Sequence, residues 1–251
     1  MFSVSRIIFF FCLILVFNCS CRKTESVISV PERGGIALTF DDYSVDNWHS
    51  YLYLFDSLHI KCTFYVSNFN KLTIHQKEKL HDIQKHGHEI AFHSTNHVNF
   101  LETMQSHGFK NLMEEEIKKG LELMNKEGFY PTNFAYPFGA HNLIMDKALL
   151  KKFKTVRVLN GTHELDNSLC SLSGNTIIKG LGIDESSKRS YIQICNLLSS
   201  ASELDKCAVL LVHNIERHDT NLQMPITKLR KLLIKAKEMH LHFYTISEIS
   251  R

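Results

Sequence analysis

From residue 35 onward, short apolar runs alternate with longer stretches of helical periodicity, and this alternation restricts the fold more than any other property of the chain. Segments 36–40, 62–66, 88–92, 133–136, 155–158, 208–212 and 242–245 read as strands rich in β-branched and aromatic residues. A glycine-rich region, 160–185, adds one short strand at 176–178 and is otherwise the least legible part of the chain. Segments 47–58, 74–85, 111–127, 143–151, 187–198 and 225–239 read as helices. Met113, Ile117, Leu121 and Met124 recur at helical spacing and mark a core-facing stripe. Strands that are apolar throughout and separated by helices imply a parallel sheet covered on both faces. About seven such units fit 251 residues as a single α/β domain with no internal repeat.

The N-terminus reads as a targeting segment. Arg6 precedes an apolar stretch, 7–17, that is too short to span a bilayer and fits a signal-peptide core. Cys21, preceded by the small Ser20, resembles the lipidated cysteine of a bacterial lipoprotein signal; Cys19 is the alternative, and an ordinary cleaved secretion signal is the other reading. The expected organisation is a signal peptide over 1–21, a polar tether over 22–33 and a catalytic domain over 34–251. The expected location is outside the cytoplasm, lipid-anchored at the membrane on the periplasmic side or cell surface, or secreted. Export would permit disulfides among Cys62, Cys170, Cys195 and Cys207, whose three complete pairings the sequence does not rank. None of the four has zinc-finger spacing. The formal charge of +3, with lysines such as Lys228, Lys231, Lys235 and Lys237 spread along helices, argues against a nucleic-acid partner.

The chemistry-bearing residues fall at the ends of predicted strands. Asp41 and Asp42 follow the apolar run from Ile36 to Phe40. Neighbours on an extended backbone point to opposite sides, so one carboxylate can bind a metal while the other faces substrate. His93 and His97 are four residues apart and on a helical turn would share a face. Asp42, His93 and His97 make a three-ligand set that leaves a position open for water, as hydrolytic metal sites require. The same ligand types also suit iron(II), but an iron oxygenase would need no spare Asp41. Metalloprotease spacing is absent: after His88-Glu89, His93 comes one residue too late. Phe134 to Gly139 reads as a strand ending in a turn that can expose backbone N–H groups, and Val209 to Val212 ends in His213.

Taken in order, Thr39-Phe40-Asp41-Asp42, His93-Ser94-Thr95-Asn96-His97, Ala135-Tyr136-Pro137-Phe138-Gly139 and Leu211-Val212-His213 resemble the motifs of the polysaccharide deacetylase family (carbohydrate esterase family 4, the NodB-homology domain). The resemblance runs over roughly residues 35–247. It implies a distorted (β/α)7 barrel and a divalent metal, with zinc favoured. It further implies that Asp42, His93 and His97 hold the metal, Asp41 is the general base and His213 the general acid. The Phe138 backbone N–H, Tyr136, Leu211 and Arg157 are placed on the oxyanion or substrate side. The implied reaction is removal of acetyl groups, N-acetyl first and O-acetyl second, from an acetylated polysaccharide or oligosaccharide. Two features depart from the pattern. Ala135 stands where many members have an arginine that orients the base, with Arg157 as a spatial substitute, and no residue that would tune His213 is evident. The missing arginine motivates a rival reading, a catalytically impaired glycan-binding protein on the same fold. Trp48, the only tryptophan, is expected in the core rather than as a sugar platform.

Overall fold

The computed structural model describes residues 33–162 and 164–250; the signal peptide, Cys19, Cys21 and nearly all of the tether lie outside them. Seven strands, β1 (Gly35–Asp42), β2 (Thr63–Val66), β3 (Glu89–Phe92), β4 (Asn133–Ala135), β5 (Thr155–Leu159), β6 (Ile177–Gly182) and β7 (Cys207–Val212), form a parallel barrel. Pairing of β7 with β1, from Gly35↔Cys207 to Phe40↔Val212, closes the ring. The distorted (β/α)7 barrel is therefore present, and its distortion is local: β3 and β4 share only the pair Phe92↔Phe134.

Alternation along each strand builds two cores. Ile36, Leu38 and Phe40 point outward into the apolar layer beneath the helices, with Phe64, Phe92 and Phe134. Ala37, Ala91, Ala135, Val209 and Tyr65 point into the barrel, where three alanines suit a narrow lumen. The strand starts are closed by polar contacts around the helix Ile246–Ile249. Thr63 donates to Glu89 (2.9 Å), Thr155 donates to Asn133 (2.8 Å), and Ser247 Oγ donates to Glu89 (2.8 Å). That end is built for stability, leaving the strand C-termini for chemistry.

Several elements differ from the periodicity. The predicted helix 47–58 breaks at Tyr51 into Val45–Ser50 and Leu52–Ser57. The helix expected at 187–198 runs instead over Tyr191–Glu203, because Lys188 adopts φ 54° and Ser190 with Gln193 forms a capping box. The helix Phe100–His107, capped by Asn99, is not among the expected elements, and only Phe100 in it is buried. The expected strand 242–245 shrinks to His242–Phe243, flanking the start of β1 outside the ring. In region 160–185, Leu169–Cys170 pairs antiparallel with β7. Trp48 is fully buried, as expected.

Candidate metal centre

Strand β1 delivers both carboxylates to one place, against the expectation that they diverge. Asp42 leaves the extended conformation with φ 84°, so alternation fails at that residue. His93 Nε2 consequently lies 3.7 Å from Asp41 Oδ2 and 3.8 Å from Asp42 Oδ1. Nor do His93 and His97 sit on a helical turn. They belong to a loop after β3 in which Ser94 has φ 67° and His97 φ 56°. That loop still gathers the candidate ligands: one donor atom from each of Asp42, His93 and His97 lies within 4.8 Å of the others. Of the ten described non-glycine residues with positive φ, four (Asp42, Ser94, His97 and Phe138) are here. Left-handed geometry costs a non-glycine residue on the order of 1–3 kcal/mol, so surrounding contacts must enforce it.

Those contacts are visible. Ser67 N–H donates to Asp42 O at 2.7 Å, and His97 N–H to Ser94 Oγ at 2.9 Å. Glu116 accepts from Asn96 N–H (2.9 Å) and Asn96 Nδ2 (2.8 Å), while its carbonyl accepts from Thr95 N–H (3.1 Å). Glu116 sits in a π-helical segment, Met113–Lys118, which interrupts the helix expected at 111–127 and turns this acid inward to near-complete burial. Gly120, one turn on, permits the approach: a Cβ there would meet Phe92 and Thr95 Oγ1 at 2.5 Å.

The donor set fits a divalent cation. His93 Nδ1 lies 2.8 Å from Ala135 O, a pure acceptor, so Nδ1 carries the proton and Nε2 presents its lone pair to the cluster. Burial depresses His93 to a pKa of about 4, keeping it neutral near pH 7. Burial opposes the Asp42 charge, but contact with His97 and the fields of His93 and His213 outweigh it, and its pKa falls to about 2. Asp42 Oδ1 is buried 3.1 Å from His97 Nε2 without a hydrogen bond of good geometry, as expected for an atom aimed at an ion.

Beside the ligands, Arg157 Nη2 pairs with Asp41 Oδ2, both side chains being almost fully buried. Arg157 is the Cα partner of Ala135 on the adjacent strand and projects into the same lumen, so its guanidinium reaches Asp41 from one strand further round. Tyr65 supports it, with the ring centroid 5.1 Å from the guanidinium carbon. Gly180 makes room, since a Cβ there would lie 3.0 Å from Arg157 Cδ.

His213 Nδ1 donates to Asp184 Oδ2 at 2.5 Å, and its backbone N–H approaches Asp184 Oδ1 at 3.3 Å. Burial lowers the His213 pKa, but the Asp184 bond and the charges of Asp41, Asp184 and Asp42 reverse this and raise it. Asp184 is the partner of His213 that sequence reasoning missed; its only signal is an acid just past the end of β6. Trp48 Nε1 donates to His213 O (2.7 Å), and Asn47 brackets Ile215 through its amide oxygen (2.9 Å) and nitrogen (2.8 Å). Leu211 lies one step below His213, buried at the mouth. Phe138 is exposed, its ring edge-on to His97 at 4.7 Å. Tyr136 departs from the expectation of a substrate-facing group: it is 1% exposed, and its hydroxyl donates to the buried Asp146 at 2.8 Å. From Asp42 a cleft of about 510 Å³ opens past Tyr43, Asn214, Arg217 and Leu222.

The family model of polysaccharide deacetylases matches residues 29–155, half of the chain. The chain belongs to the polysaccharide deacetylase family. Among solved structures, the barrel resembles a family 4 carbohydrate esterase from Streptomyces lividans in complex with acetate. The identity is 17% and the TM-score 0.59, with 86% of this chain and 94% of that one covered. It also resembles peptidoglycan deacetylase PdaC from Bacillus subtilis, at 17% identity and TM-score 0.57, covering 86% and 90%. A third similar structure is a mutant of BA3943, a pseudoenzyme of carbohydrate esterase family 4 with restored enzymatic activity (14% identity, TM-score 0.59, 88% and 69% covered). At these identities the structures attest the deacetylase fold. No curated protein matches the sequence significantly.

Proposed function

We propose that the protein is a divalent-metal-dependent hydrolase that removes acetyl groups, N-acetyl in the first place, from a polysaccharide or oligosaccharide. The observation that carries this is the convergence of Asp42, His93 and His97 within 4.8 Å, with the Arg157–Asp41 pair on one side. The ion, zinc being favoured, would supply Lewis-acid polarisation of the acyl oxygen and acidify water at the site. Arg157 fixes the Asp41 carboxylate, which takes the proton of the attacking water. The Phe138 N–H, turned by φ 57°, donates to the developing oxyanion. His213, held by Asp184, gives its Nε2 proton to the departing amine, which leaves poorly unprotonated. Leu211 bounds the acetyl methyl, and Tyr43 and Asn214 line the cleft that receives the neighbouring sugar.

The glycan-binding alternative rested on the arginine absent at Ala135. Arg157 occupies that electrostatic role, which favours the enzyme. Acetate release from a panel of N- and O-acetylated glycans, by zinc-loaded protein beside Asp41→Asn, decides between them. Release by the parent alone supports the hydrolase. Glycan binding with no release from any substrate supports the alternative. Export with lipid attachment at Cys21, or at Cys19, rests on the pattern after Arg6. Labelled palmitate that fails to enter the chain, with Cys21→Ser as the control, would remove that part of the proposal.

A further inference from the structure

We propose that Cys170 and Cys207 are disulfide partners, joined in a bridge that ties the segment before β6 to the first residue of β7. Both occur here as free thiols. They are direct Cα partners in the antiparallel pairing of Leu169–Cys170 with β7. Residues directly opposite in such a pair project to the same face, with Cα atoms roughly 4.5–5.5 Å apart. That separation lies inside the roughly 4.4–6.8 Å a disulfide spans. The Cys170 Sγ already lies 3.6 Å from the carbonyl oxygen of Cys207, directly over its partner residue.

The other two cysteines among the described residues are placed elsewhere. Cys62 is buried in the layer beneath the helices, at the start of β2. Cys195 lies on the helix Tyr191–Glu203, packed against that same layer. Cys170 and Cys207 belong instead to the barrel interior. The three pairings open to the sequence thus reduce to one bridge and two thiols that stay reduced. The closed loop holds β6 and Asp184, and β7 leads directly to His213, so the bridge would fasten together the two strands that present the Asp184–His213 pair.

The chemistry balances with a small-molecule disulfide as oxidant. Cys170, the partly exposed thiol, loses its proton and attacks one sulfur of oxidised glutathione, expelling one glutathione thiolate. Cys207 then attacks the Cys170 sulfur of that mixed disulfide. Its proton goes to the second glutathione as it leaves, so two thiols are oxidised and one disulfide becomes two thiols. Burial holds the Cys207 thiol well above its usual pKa, making the second attack the slow one.

Tryptic cleavage separates the four thiols. Cutting after Arg157, Lys179, Lys206 and Arg217 puts Cys170 in peptide 158–179 and Cys207 in peptide 207–217, with Cys195 and Cys62 in others. The folded full-length chain is incubated with oxidised glutathione, quenched with a thiol alkylating reagent and digested without reductant. The expected species is a cross-linked pair of peptides 158–179 and 207–217, lighter than their sum by two hydrogens and split by dithiothreitol. Recovery of both peptides only as alkylated or glutathionylated thiols would overturn the proposal. So would a bridge from either one to any other cysteine of the chain.

Discussion

Replacing Asp184 with asparagine isolates the role of the acid that sequence reasoning missed. Asp184 is almost completely buried, its partner His213 is largely buried, and they meet at 2.5 Å through a charge-assisted bond. A hydrogen bond to a charged group contributes about 1.5–3 kcal/mol, and one pKa unit corresponds to about 1.4 kcal/mol. Loss of the anion should therefore drop the His213 pKa by about one to two units. Burial, already the largest influence and one that favours the neutral ring, would then prevail. The sign follows from the role. A general acid works while protonated, and activity falls as pH rises through its pKa. Lowering that pKa moves the alkaline limb of the kcat profile to lower pH and costs about 10–100-fold in rate on that limb. The assay is kcat for acetate release from pH 5 to 10 at saturating zinc, with bound zinc measured in each variant. An alkaline limb that stays in place while zinc remains stoichiometric would refute the assignment of His213 as the acid tuned by Asp184.

Three further outcomes are expected. Arg157→Met leaves Asp41 buried without its counter-charge, so it should lose about 3–5 kcal/mol of stability by urea titration and most acetate release while still binding zinc; unchanged turnover would show that the base needs no guanidinium. Glu116→Ala frees Asn96 from the π-helical segment while the Thr95 N–H keeps its bond to the backbone carbonyl, and should weaken zinc affinity about 10–100-fold while kcat at saturating zinc survives; equal loss of kcat would show that the loop shapes the chemistry as well as the ligand set. The metal-free protein should lose stability as pH falls from about 6.5 to about 4. His88 and His93 have folded pKa values of about 4 against the ordinary 6.5, so the unfolded chain binds more protons throughout that window. A urea midpoint that holds steady from neutrality to pH 4.5 would contradict this.

How much of this was legible in the chain depended on sequence distance. The apolar runs gave the barrel strands to within a few residues, because burial on both faces leaves a continuous hydrophobic signature. The helix Ile74–Lys85 has the bounds its periodicity and the stop at Gly87 predict, and the structure adds a Thr73–Gln76 capping box at its start. The helix Phe100–His107 was missed because only Phe100 in it is fully buried, leaving little apolar stripe to detect. The candidate ligand set was legible too, as each of Asp42, His93 and His97 lies within a few residues of a strand's end and the structure brings the three together.

By itself, the sequence determined the strand and helix alternation and the three candidate metal-ligating residue types, because both follow from local pattern and from what single side chains can do. Only the tertiary structure decided how they cooperate. It turned Asp42 by a left-handed backbone so that two neighbouring carboxylates face one imidazole. It also brought Arg157 to Asp41 across 116 residues and Asp184 to His213 across 29. These are contacts between strands of a closed ring. Their partners are set by the order in which the strands pair, and no local periodicity records that order.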